Sequence, residues 1–196
     1  MNEDRKPLTE EQILAALVDG QKPSQQPIRL CDYDPNWPVL FEKEAQRVNA
    51  ALGGQIIALE HIGSTSVPGL SAKPIIDMLL VVSDSSNEAA YVPQLEAVGY
   101  VLRIREPEWY EHRLLKGPDQ DINLHVYSIG CPEIDRCLVF RDWLRSNEGD
   151  RLLYENTKKE LAKKDWKFVQ NYADAKTAVV EEIIARASKA IRVEQA

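Results

Sequence analysis

Residues 61–82 read HIGSTSVPGLSAKPIIDMLLVV, a glycine-serine turn running into an apolar strand that carries one carboxylate, Asp77. Small residues at Gly63, Ser64, Thr65 and Ser66 let backbone N–H groups close on an anion while the hydroxyls add donors. The turn is not a P-loop. That motif needs four residues between its glycines and a Lys-Ser/Thr pair directly after, whereas five separate Gly63 from Gly69 and Leu70 follows. Taken alone, the turn reads better as a plain tight connection. Asp77 changes the weighing, because an acid within IIDMLLVV is expensive to bury unless it is paired, hydrogen-bonded or metal-bound. Lys73, four residues earlier, is one partner within reach. Phosphate chemistry on a metal normally takes a second acidic ligand, which no other residue of this stretch supplies.

Working outward, GGQIIALEHIGS is a glycine turn, a strand and a glycine loop, and the unbroken apolar run of KPIIDMLLVV predicts a strand buried on both faces. Upstream, IRLCDYDPNWP predicts a strand entering a proline-rich turn, and Pro38 suits the first turn of a helix over VLFEKEAQRVNAAL. Downstream, residues 87–98 fit a helix, and GYVLRI and WYEHRLLKG fit two strands. DINLHVYSI alternates strictly, with Asp121, Asn123, His125 and Tyr127 on one face and Ile122, Leu124 and Val126 on the other. Three helical stretches close the chain: EIDRCLVFRDWLRSN, EGDRLLYENTKKELAKKD and NYADAKTAVVEEIIARASKAI. The expected architecture is α/β, a central mixed sheet of about five strands under a helical C-terminal layer.

At the N-terminus, Thr9 and Gln12 have capping-box spacing for a short helix over residues 10–18, and QKPSQQP reads as a linker. Residues 1–26 are therefore expected to be an extension on a domain spanning 27–196, one whose removal leaves that domain folded. With 196 residues the chain has room for one well-packed domain. A net charge of −7 works against binding a nucleic-acid backbone, though not against a small anion held by a few local cations. No apolar run approaches the roughly 20 residues of a spanning helix, and MNEDRKPLTEEQ lacks a signal peptide's basic end and apolar centre, so the expected location is the cytoplasm, off the membrane. Cys31, Cys131 and Cys137 form no paired motif and read as packed thiols. The run KKELAKKDWK, with acids interleaved, reads as a solvated helix face.

The stretch 61–82, together with YDPNWPVLFEKE, HRLLKGPDQDINLHVY, FRDWLRSN and YADAKTAVVEEII, resembles the GrpB family, in order and with similar spacing from about residue 28 to 186. That resemblance implies a nucleotidyltransferase-type fold of the DNA polymerase beta superfamily kind. In such folds a Gly-Ser turn meets a nucleotide's phosphates and the next strand carries metal-binding acids. It supplies no reaction for the family itself. Active nucleotidyltransferases place a second acid two residues after the first, on the same strand face, where paired Mg²⁺ ions are bridged. Leu79 stands there instead. The position of a third carboxylate aligns with DINLHVY, where Asn123 and His125 are found, leaving His125, Asp121 or Glu60 to supply replacement ligands.

The expected site is therefore a cleft shared by Ser64, Asp77 and His125, binding a nucleotide or another phosphorylated small molecule. Gly63, Ser64 and Thr65 would hold phosphate, with Lys73 or Arg113 offsetting charge. Asp77 and His125 would carry any catalysis, His125 as ligand or base. A divalent ion is expected beside them: Mg²⁺ or Mn²⁺, or Zn²⁺ where His61, Asp77 and His125 converge. Three functions follow: metal-dependent nucleotidyl transfer, a non-catalytic binding or interaction module without the two-metal centre, and metal-assisted hydrolysis at a His-Asp centre. Ordinary surface charge accounts equally well for Arg113 and Lys116, and His112 has the same ambiguity.

Overall fold

The computed structural model describes residues 7–18, 20–119 and 121–194. Five strands form one sheet in the order β1-β2-β5-β4-β3, where β1 is Ala58–Ile62, β2 Ile76–Val82, β3 Val101–Glu106, β4 His112–Lys116 and β5 Ile122–Ser128. Only the β2–β5 pair is parallel. The mixed α/β sheet of five strands and its helical C-terminal layer match the expected fold class. β2 lies between β1 and β5, and from Met78 to Val82 it is buried on both faces, which is why its apolar run continues unbroken beyond Asp77.

The register decides what each face carries. Asp77 stands opposite Ile62 on β1 and Asn123 on β5, and His125 lies beside Leu79 and Leu114. With a side-chain period of two, Asp77, Leu79, Val81, Asn123, His125 and Tyr127 share one face. Met78, Leu80, Val82, Ile122, Leu124 and Val126 share the other. That second face is the main core, closed by α2 (Trp37–Leu52) through Trp37, Ala45, Val48 and Leu52 and by α3 (Val92–Ala97) through Val92 and Leu95. Burying a Leu-sized side chain stabilises by about 1.5–3 kcal/mol relative to exposure, so this face holds most of the fold's hydrophobic free energy.

The face carrying Asp77 is only partly closed. Helix α4 (Pro132–Ser146) packs on Ile62, Leu79, Val81 and Tyr127 through Ile134, Cys137 and Leu138. Leu144 of α4, Tyr154 of α5 (Glu148–Ala162) and Ile183 of α7 (Thr177–Glu194) gather around Val67 and Leu70 of the glycine-serine segment. The Asn147 side chain caps α5 by accepting from the Asp150 amide. Among the described residues no helix is long and apolar enough to cross a membrane.

Four local expectations change. The strand expected at residues 28–33 shrinks to one bridge, Cys31 to Ala72, between prolines that donate nothing to a ladder. The helix over 87–98 is a 3₁₀ turn, Glu88–Ala90, followed by α3 with Pro93 in its first turn, the position where proline is tolerated. The last predicted helix breaks into α6 (Val169–Asp174) and α7 at Ala175 and Lys176, both good helix formers, so local propensity holds no hint of it. At the other end, α1 (Glu10–Ala15) has the expected Thr9–Gln12 capping box but is shorter.

Residues 1–6 and Asp19 of the expected extension lie outside the described residues. The rest of it docks on the edge strand: Leu17 bridges Ile104, Val18 donates to Arg103 and Arg105 donates to Ala16, with Ile13 buried. Leu8, Ile13 and Leu17 line the same cavity as Asp77.

Candidate functional site

Between the sheet and the C-terminal helices lies a cavity of 720 Å³, lined by Gly63, Ser64, Lys73, Asp77, Asn123 and His125 from the sheet side and by Lys158, Tyr172 and Lys176 from the helices. Ser64, Asp77 and His125 thus share one cleft, as the strand periods require. The turn that delivers Ser64 depends on Gly63, which has a φ of 70°; a Cβ there would sit 2.5 Å from Asp77 Oδ2. A side chain would be strained in backbone and would collide with the carboxylate, so glycine is the residue that lets the loop lie on Asp77.

Asp77 Oδ1 accepts from Asn123 Nδ2 at 2.7 Å, and His125 Nε2 approaches the same oxygen at 3.7 Å, too far for a hydrogen bond. Burial pushes the Asp77 carboxyl upward, but the neighbouring His125 ring, the Asn123 amide and the Lys73 charge outweigh it and hold the group below the usual carboxylate range. Behind His125 stands a second imidazole. His112 Nε2 is 3.1 Å from His125 Nδ1, and His112 Nδ1 is 2.7 Å from Glu106 Oε2.

Three ammonium groups converge opposite. Lys158, 2% exposed, donates to Ser64 Oγ at 3.1 Å and to the Ser71 carbonyl. Lys73 and Lys176 lie over the Tyr172 ring, 5.5 and 5.0 Å from its centroid. Burial first, then the charge of Lys176, lowers Lys158 to about 7 and Lys73 to about 8. Burial also lowers Lys176, against Asp77 and Asp174. The Tyr172 hydroxyl, buried in the wall of this cavity, has no hydrogen-bond partner among the described residues.

Three expected site residues go elsewhere. His61 pairs with Met78 and so points to the opposite sheet face, where it stacks on Phe41 and meets Thr65 Oγ1 at 3.1 Å. Burial, reinforced by Arg145 and Arg141 and opposed by Asp77, holds it down to about 4, so it stays neutral. The set His61, Asp77 and His125 is therefore not assembled as a metal site. The Thr65 hydroxyl donates to the Ile75 carbonyl and is spent on the turn itself. Arg113 pairs with Val126, again on the far face, and binds Glu88 and Glu111. Of the replacement acids, Glu60 accepts from Arg141 and Asp121 from Lys116.

The donor set does not fit a paired-metal centre: Leu79 occupies the second acid's place, Asn123 holds Asp77 Oδ1, and three lysines crowd the rest. No group of three or more His, Cys, Asp or Glu among the described residues is arranged around a metal position.

Lys158 and Lys176 are what sequence reasoning missed. Lys158 had a readable signal, since the helical period through Tyr154 and Leu161 passes through it and places it on the buried stripe rather than a solvated face. Lys176 had none, because it enters the cavity through the break between α6 and α7.

A five-stranded α/β fold with a cavity walled by Lys73, Lys158 and Lys176 over Asp77 defines the class. The family is defined by comparison: residues 27–186 match the family described as GrpB protein, and the chain belongs to it. A UPF0157 protein of Halalkalibacterium halodurans is 57% identical over 93% of both chains. The crystal structure of the conserved protein GrpB from Enterococcus faecalis superposes with a TM-score of 0.74 at 33% identity, covering 83% of this chain and 99% of that one. A dephospho-CoA kinase of Mycolicibacterium paratuberculosis is 27% identical over 65% of this chain but 38% of its own length.

Proposed function

We propose that this GrpB-family chain binds a nucleotide or another phosphorylated small molecule in the cavity above β2 and β5, with Lys73, Lys158 and Lys176 meeting the phosphate charge. The observation that carries this reading is their convergence. Three ammonium groups drawn out of water toward one another, their charge only partly opposed by Asp77, Asp121, Glu155 and Asp174, cost free energy that a bound polyanion offsets. Ser64 and the unpartnered Tyr172 hydroxyl add uncharged donors suited to phosphate oxygens. The relationship to a segment of a protein named dephospho-CoA kinase supports a ligand of this class.

Nucleotidyl transfer, the reaction class associated with the fold that the resemblance implies, is the catalytic form of this reading. In it the lysines take over charge neutralisation that the superfamily assigns to metal ions, and Asp77 and His125 face the ligand's non-phosphate end. A divalent ion arriving with a nucleotide would find the Asp77 carboxylate and His125 Nε2 as its protein donors. The binding module without turnover is the second form, favoured by Leu79 standing in place of the second acid. Calorimetric titration with ATP, GTP, CTP and UTP, each with and without Mn²⁺, tests both. The expected result is nucleotide binding that persists without metal and that inorganic phosphate competes away. Turnover separates the enzyme from the module, and no binding of any nucleotide or of phosphate overturns the reading.

A further inference from the structure

The contacts along Glu106, His112, His125 and Asp77 allow the ring protons to be counted. Glu106 Oε2 to His112 Nδ1 is 2.7 Å and His112 Nε2 to His125 Nδ1 is 3.1 Å, so each of these short contacts contains a proton. Two neutral imidazoles bring two ring protons. A carboxylate accepts only, so the first proton sits on His112 Nδ1. That leaves His112 Nε2 as an acceptor, and the second proton must sit on His125 Nδ1. His125 Nε2 is then bare, and it faces Asp77 Oδ1 at 3.7 Å, a separation that fits two acceptors with nothing between them. The order comes from Glu106, two residues removed from the atom it controls.

The packing holds the chain in line. His112 stacks on His125 at 5.2 Å with a 19° interplanar angle and on Tyr127 at 4.8 Å, and it is buried, whereas His125 lines the open cavity. Glu106 and His112 face each other across the β3–β4 ladder, so the acid cannot drift from the imidazole without breaking strand pairing. β5 then brings His125 beside Asp77 through its parallel register with β2.

We propose that Glu106 and His112 are positioning residues that fix His125 with its Nε2 unprotonated, making Nε2 and Asp77 a paired acceptor for a hydroxyl of the bound phosphorylated ligand. The lysines hold one end of that ligand and the acceptor pair selects the other. The ligand class is thereby narrowed to phosphate esters that carry a free hydroxyl, such as a ribonucleotide, over analogues without one. A site built to accept from a hydroxyl discriminates against an analogue without one, because that analogue leaves the half-buried acceptors unpaired. The phosphate half of this inference rests on the function proposed above; the tautomer half does not.

The test is nitrogen NMR of the imidazole rings in the full chain, without ligand and at a pH above the ordinary histidine value. In the wild type His125 is expected to show a protonated Nδ1 and a bare Nε2. Glu106→Leu removes the acceptor from His112 and should invert both rings, moving the His125 proton to Nε2 although Glu106 never touches it. His112→Phe keeps the stacked ring and should release His125 in the same sense. Titration with AMP should then perturb His125 Nε2, while 2′,3′-dideoxy-AMP perturbs the lysines alone. A wild-type His125 protonated at Nε2, a tautomer indifferent to both substitutions, or equal perturbation of Nε2 by the two nucleotides would each overturn the proposal. Should either variant fail to fold, the wild-type spectrum alone decides the tautomer. Lysine signals unmoved by both nucleotides and by inorganic phosphate sink the phosphate reading instead, leaving the tautomer result standing.

Discussion

The two faces of the sheet are made from the same strands and alternate residue by residue, yet they do different work. On the face under α2 and α3, Met78, Leu80, Leu124 and Val126 are fully buried and meet other apolar groups. On the opposite face the intervening positions carry Asp77, Asn123 and His125, half covered by helices that leave a cavity. A strand period of two lets one segment serve both purposes without compromise, since stability is stored on one face and polar chemistry is held rigid on the other. Changes on the first face should therefore cost folding free energy, and changes on the second should cost ligand affinity.

The largest expected effect tests the dry face. Leu124→Ala should destabilise the chain by about 2–5 kcal/mol, the usual range for a large-to-small change in a packed core. Denaturant unfolding reads this as a lower midpoint at unchanged slope, and nucleotide affinity of the folded fraction should stay as in the wild type. A selective loss of affinity there would erase the distinction between faces.

On the wet face, Lys176→Met should reverse that pattern. Losing a charged contact to phosphate costs about 2 kcal/mol, roughly a thirtyfold weaker nucleotide affinity by calorimetry. Stability should hold or rise, because Lys73 and Lys158 lose a repelling neighbour. A marked drop in thermal midpoint without loss of affinity would assign Lys176 to structure instead.

Smaller again is removal of residues 1–26. Ile13 is buried and the segment bridges β3 at a single residue pair, so deletion should cost about 1–2 kcal/mol while the cooperative thermal transition survives. Because Leu8, Ile13 and Leu17 wall the cavity, affinity should fall as well. Loss of the transition would show that the extension is part of the core.

How much of this was legible beforehand follows the same division. Strict periods carry over directly from sequence: the alternation in DINLHVYSI set the face of His125, and the apolar run around Asp77 announced a central strand. Pairing partners are not local, and so His61 and Arg113 were misdirected. Each lies near the site along the chain, but the ladder turns His61 toward Met78 and Arg113 toward Val126. Lys158 was discounted because its neighbours in KKELAKKDWK are mostly solvated, although its place four residues after Tyr154 puts it on the inner stripe. Glu106 could not be linked to His125 at all, since that link runs through two strand pairings and an imidazole.

The smallest expected effect separates the faces by pH. In the folded chain Lys158 is lowered to about 7 and Lys73 to about 8, from 10.5. Between those values and 10.5 the unfolded chain binds more protons than the folded one, so stability must rise with pH across that interval. Below about 7 both states hold their lysine protons and the penalty of burying the charges is fully present. The upper end is complicated by Cys137, whose thiol burial raises from 9.0 to about 12; above 9 the folded state is the one retaining a proton, and the slope is opposed. The clean interval is therefore pH 7 to 9, where unfolding free energy should increase by on the order of 1 kcal/mol per pH unit. Lys158→Met should remove its share of the rise, leaving the part that Lys73 contributes, and Leu124→Ala should shift the whole curve downward without changing its slope. Saturating nucleotide should also flatten it, because a bound polyanion keeps the ammonium groups charged, and the affinity itself should weaken as pH climbs. Denaturant midpoints at three pH values, with and without nucleotide, check all of these at once. A slope that Lys158→Met leaves unchanged would mean that the protons leave from elsewhere, and that Lys158 is not held out of water as its geometry requires.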